Sequence, residues 1–159
     1  ILHKYKLVFL ISISLIIGVA LGGMMFSRSI PRNFLSANLC RESCFSKKEA
    51  LGLLASIGIQ NLGENLPSII YETNKTLVFD MQYPYPPDKI HYVVVPKRDI
   101  KDLASANKED LEYLQDSFAV ISNIVKEKNY QKYRVITNGP GYQEVTYLHF
   151  HLVIDRDDK

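Results

Sequence analysis

Residues 7–26 read LVFLISISLIIGVALGGMMF, twenty consecutive residues without a charge. As a helix, at about 1.5 Å per residue, such a run covers roughly 30 Å, the hydrocarbon thickness of a bilayer. Ser12 and Ser14 are its polar side chains, and a helical hydroxyl can bond back to its own backbone. An uncharged run this long is read as a single-pass membrane anchor rather than a buried core helix. A cleaved signal peptide is the rival reading, since Lys4 and Lys6 precede the run. MMFSRS follows, however, instead of a small-x-small cleavage site. Arg28 and Arg32 nearly balance the lysines, so the positive-inside rule assigns no orientation. The first residue is Ile, so residue 1 need not be the true start.

The remainder is long enough for one domain. Hydrophobic residues make up 47% and charged residues 23%, a globular balance. A net charge of +2, with no basic stripe interleaved with aromatics, argues against a nucleic-acid surface. Residues 27–45 read as a linker and residues 46–159 as the domain. Cys40 and Cys44 stand in the linker as CRESC. They could form a disulfide in an oxidising space or remain two thiols. Zinc is disfavoured, because no histidine lies between His3 and His91.

Ser46 and Glu49 form a capping-box pattern that opens a short helix over about 47–57. SIIYE (68–72) and TLVFDM (76–81) read as a hairpin. The prolines of 83–87 make a rigid loop. IHYVVV (90–95) is a strand. Asn107 caps a helix over about 108–128, whose Leu111, Leu114, Phe118, Ile121 and Val125 share one face. YRVIT (133–137) and YLHFHLVI (147–154) are strands around the loop 138–145. This order predicts an α+β domain, a mostly antiparallel sheet with helices packed on one face.

The domain holds three histidines, His91, His149 and His151. Alternation in a strand puts Tyr147, His149, His151 and Val153 on one face. Leu148, Phe150, Leu152 and Ile154 then form the core face. Taken alone, the pattern allows ordinary cross-strand histidines, a histidine metal site, or phosphate chemistry with one imidazole as nucleophile.

Three blocks of sequence favour the last. LPSIIYETNKTLVFDM, IHYVVVPKRDIKDL and ITNGPGYQEVTYLHFHLV resemble, in order and spacing, the histidine-triad superfamily, and most closely its nucleotide-binding branch. The resemblance covers residues 66–159. It implies a nucleotidyl hydrolase or transferase acting on a nucleotide phosphoramidate or a dinucleoside polyphosphate through a phospho-histidine. His149 would attack phosphorus, His151 would bond in the phosphate site, and His91 would orient it. Asn138 would approach the phosphate, Gln143 would lie beside the scissile bond, and Asp80 would hold ribose hydroxyls. No metal or other cofactor is implied. An alternative is a membrane enzyme like the CDP-diacylglycerol pyrophosphatases; another is a non-catalytic nucleotide-binding module. The expected partners are a nucleotide or nucleotide-lipid and the membrane, through residues 7–26. A homodimer is left open.

The sequence departs from the family pattern in several places. Tyr147 replaces the first triad histidine, and a phenol could substitute partly for its hydrogen bonds. Tyr142 replaces a glycine, and the loop from Asn138 to His149 is short. Glu144 stands where Ser or Thr contacts phosphate, and a carboxylate there would repel it. The family's Cys-x-x-Cys zinc pair is missing.

Overall fold

Strand alternation fills both faces of the sheet, and this decides where the helices go. The computed structural model describes residues 2–26, 47–66, 68–81 and 89–155. The linker with Cys40 and Cys44, the cap at Ser46, the 83–87 loop and the tail 156–159 lie outside the described residues.

Helix α1 is Leu2–Phe26, α2 is Lys47–Asn61 and α3 is Leu111–Glu127. The strands are β1 (Ile69–Glu72), β2 (Thr76–Asp80), β3 (Lys89–Pro96), β4 (Tyr133–Ile136) and β5 (Phe150–Asp155). They form one five-stranded sheet in the order β1-β2-β3-β5-β4. Every pairing is antiparallel. The chain leaves β3, crosses through α3 to edge strand β4, and returns as β5 into the gap between them. Within α1, residues 5–22 are long and apolar enough to cross a membrane, and the window is 0% buried.

Val78, Tyr92, Val94, Phe150, Leu152 and Ile154 pack beneath α3 as the main core. Leu77, Val95 and Tyr147 form a second core on the other face, with Ile59 of α2 and partly buried Ala55, Leu66 and Phe79. The expectation of helices on one face is therefore corrected, because α2 covers part of the histidine face. Apolar residues at both parities of β2 and β3 leave two faces to cover. Thr146 ties α2 down, its N–H and hydroxyl both donating to the Lys48 carbonyl at 3.3 and 2.9 Å.

Two further expectations change. Asn107 does act as a cap, but of a single 3₁₀ turn, Lys108–Asp110, that runs into α3. The buried side of α3 is Leu114, Ser117, Val120, Ile121 and Ile124. Leu111 and Phe118 are 57% and 51% exposed. A row of apolar residues missed this side because the buried Ser117 sits on it, facing Thr76 of β2. Its hydroxyl is satisfied there by Thr76 Oγ1 at 3.0 Å and the Tyr113 carbonyl at 2.9 Å.

Strand β5 also begins later than expected. The Leu148 N–H donates to the Ile100 carbonyl at 2.7 Å, and the His149 carbonyl accepts from Thr137 Oγ1 at 2.9 Å. Backbone groups spent in this way are lost to the ladder. Ile121→Ala should cost about 2–5 kcal/mol in denaturant titration. Phe118→Ala, at a half-exposed ring, should cost about 1 kcal/mol.

Candidate functional site

Three imidazoles meet where β3 and β5 run side by side. His91 pairs with Val153 and His151 with Val93, so the two histidines are diagonal neighbours on one face. Their rings are joined, His91 Nε2 to His151 Nδ1, at 2.8 Å. Asn138, just past β4, brings Nδ2 to 3.5 Å from His151 Nε2. If the Asn138 amide donates, His151 carries its proton on Nδ1 and passes a hydrogen bond to His91. The His149 ring stands edge-on to His151, with centroids 4.7 Å apart.

His149 lies just ahead of β5. Its Nδ1 is 2.7 Å from the Tyr147 carbonyl. A carbonyl only accepts, so Nδ1 holds the proton and Nε2 keeps its lone pair. The residue that replaces the first triad histidine thus serves the nucleophile candidate through its backbone. The Tyr147 side chain is 2% exposed. Its hydroxyl donates to the Pro96 carbonyl at 2.9 Å. That ties the segment before β5 to the end of β3.

Burial pushes His151 down to about 4, and the neighbouring His149 and His91 add to the effect. Burial and His149 also lower His91. Both rings are neutral near pH 7. Among the described residues, no group of three His, Cys, Asp or Glu side chains is arranged to hold a metal ion.

His149 and His151 stand at one end of a groove of about 710 Å³ between α2 and the sheet. Its walls include Leu54, Gly58 and Ile59 from α2 and Phe79, Val93 and Val95 from the sheet. The sequence analysis overlooked the α2 wall. Its only hint was the mixture of small and apolar residues in ALGLLASIGI. Thr137, which braces the His149 carbonyl, was overlooked too.

The structure brings His91, His149, His151 and Asn138 together, but it places Gln143 and Asp80 elsewhere. Gln143 is 1% exposed, and its Nε2 donates to the Lys101 carbonyl at 3.0 Å. Its Oε1 is buried without a partner among the described residues, and the residue does not line the groove. Asp80 borders the groove, exposed at the end of β2, and pairs with Tyr92 across the ladder. Its charge there adds to the burial and the Tyr130 bond that raise the Tyr92 phenol. Met81, whose N–H donates to the His91 carbonyl, takes the groove side. Glu144 is exposed and is not among the residues lining the groove.

This antiparallel sheet, its crossover helix and the imidazoles on β3 and β5 define a HIT-like protein. Residues 59–158 match the family described as "Scavenger mRNA decapping enzyme C-term binding", and the chain belongs to that HIT-like family. An uncharacterized HIT-like protein of Buchnera aphidicola is 31% identical over 90 residues, 54% of this chain and 77% of the relative. A histidine triad protein from Clostridium difficile superposes with a TM-score of 0.51 at 32% identity, over 60% of this chain and 86% of that one. A HIT family hydrolase from Clostridium thermocellum gives a TM-score of 0.54 at 25% identity, over 65% and 92%.

The lowered imidazoles give the fold a pH signature. His151 is neutral in the folded state down to about pH 4, whereas an unfolded histidine protonates near 6.5. The stability from this difference is full above pH 6.5 and is lost as pH falls toward 4. It should amount to about 2 kcal/mol, less than the full linkage because the ring is partly exposed. Urea titrations at neutral pH and near pH 4.5 measure it. His151→Asn should flatten the difference.

Proposed function

We propose that the domain hydrolyses or transfers the phosphoryl group of a nucleotide-like phosphoramidate or phosphoanhydride through a covalent bond to His149. The carrying observation is the 2.7 Å bond from His149 Nδ1 to the Tyr147 carbonyl, which leaves Nε2 as the nucleophile. Nε2 attacks phosphorus, and the scissile P–O or P–N bond breaks. The leaving group departs with the electron pair. Water then displaces the imidazole, giving the phosphate product and returning His149 to its starting form. With ligand bound, neutral His151 takes the tautomer in which Nδ1 accepts from His91 Nε2 and Nε2–H is offered to a phosphoryl oxygen. The 3.5 Å contact with Asn138 is loose enough to yield that edge of the ring. His91 supports His151 from behind.

A fluorogenic adenosine phosphoramidate tests this reading. Wild type quenched in alkaline denaturant, which spares a P–N bond to histidine, should carry the adenylyl mass on the His149 peptide. His149→Asn should lose turnover while still binding product, because the ring contributes chiefly in the transition state. Equal rates for the two proteins would sink the assignment.

We further propose that residues 7–26 anchor the chain in a membrane and that two copies pair through β4. The uncharged helix supports the first reading. The second rests on an open sheet edge at which Tyr133, Val135 and Ile136 are all exposed. The full chain should partition with detergent, and its protein mass in the micelle should be that of a dimer. Val135→Lys should return the monomer. An intact chain found in the aqueous phase, or a monomeric wild type, would refute the respective reading.

A further inference from the structure

His149 stands where the sheet has run out of ladder. The first residues of β5 to pair are Phe150, with Val94 of β3, and His151, with Ile136 of β4. Outside the ladder, backbone N–H and C=O groups need other partners. On one side of His149 the Leu148 N–H donates to the Ile100 carbonyl at 2.7 Å. The carbonyl of that same peptide, from Tyr147, takes the Nδ1 proton of the His149 ring. On the other side a single side chain holds the peptide that leaves His149. Thr137 Oγ1 donates to the His149 carbonyl at 2.9 Å.

Thr137 is half-buried and is the first residue after β4. Asn138 follows it, with Nδ2 at 3.5 Å from His151 Nε2. The end of β4 thus meets both histidines, one through its backbone and one at its ring edge. Threonine suits this place. Its branched Cβ leaves χ1 few choices, so the hydroxyl is presented already aimed.

We infer that Thr137 is a positioning residue for the covalent reaction: its hydroxyl fixes the peptide leaving His149, and so the direction in which Nε2 meets phosphorus. The inference rests on His149 as nucleophile and adds what aims it. The two peptides that flank this segment hold the ring between them. One binds Nδ1, and the other is pinned by Thr137. Without the hydroxyl, the outgoing peptide can turn and carry the ring away from the Tyr147 carbonyl. Magnitudes separate this role from a plain tether. One hydroxyl bond adds modestly to folding stability. Misplacing a reacting group by about 1 Å costs on the order of a hundredfold in rate.

The test uses the full chain in detergent and the fluorogenic adenosine phosphoramidate. Thr137→Val keeps the shape and loses the hydroxyl. Thr137→Ala loses it without setting a methyl against the carbonyl, so either folded variant suffices. Each should lower kcat about tenfold to a hundredfold, with KM within about twofold. Thr137→Ser, which keeps the donor, should recover most of the rate. Ser117→Ala removes a buried hydroxyl under α3, on the opposite face of the sheet. It should melt earlier with kcat unchanged. Nitrogen-15 spectra of the His149 ring in the resting protein give a reading independent of turnover. Wild type and Thr137→Ser should show the proton on Nδ1, and the Val and Ala variants a mixture of tautomers. Unchanged kcat, a wild-type His149 spectrum in those two variants, or Thr137→Ser as slow as Thr137→Val would each overturn the inference and leave the covalent hydrolase standing. Equal turnover by wild type and His149→Asn would instead remove the nucleophile reading. The spectra then decide alone whether Thr137 aims the ring: a mixture of tautomers supports it, and an unchanged tautomer overturns it.

Discussion

The antiparallel ladder between β3 and β5 carries the rest of the structure. It is the centre of the sheet, and its register places His91 opposite Val153 and His151 opposite Val93. Slipping it by one residue would turn Leu152 and Ile154 to the groove and drive the imidazoles under α3. Burial of Val94, Leu152 and Ile154 at 0% exposure opposes that slip. The core beneath α3 therefore sets the geometry of the site above it. The histidines are fixed by residues that never approach a ligand.

Much of this could be read from the residues. The alternation YLHFHLVI separates the two faces of β5 as observed, because period-two burial leaves little freedom where one face is fully apolar. His91, His149, His151 and Asn138 converge as their motif positions imply. The failures have physical reasons. Ser117 hides the buried side of α3, since a serine with two good partners looks like a surface residue in a sequence. Asp80 follows a groove residue directly, and in a strand adjacent residues face opposite ways. Gln143 sits in an irregular loop, where no periodicity tells which side chain turns inward. The α2 wall was illegible because covering the second face depends on contacts distant in sequence.

The lowered pKa values of His91 and His151 follow from the same packing. Burial lowers the pKa of both His151 and His91, which keeps those two rings neutral near pH 7. An uncharged ring is a competent nucleophile; a protonated one is not. The structure thus holds His91 and His151 within hydrogen-bonding distance without mutual charge repulsion near pH 7.

The two hydrogen bonds from Thr146 to the Lys48 carbonyl join the first turn of α2 to the chain three residues before His149. Lys47 is also where the segment following α1 enters the domain. From Thr146 the chain passes directly to Tyr147, whose carbonyl holds the His149 ring. The first turn of α2 and the His149 ring are thereby parts of one mechanical line, and a shift of that helix is felt as a change in the aim of an imidazole.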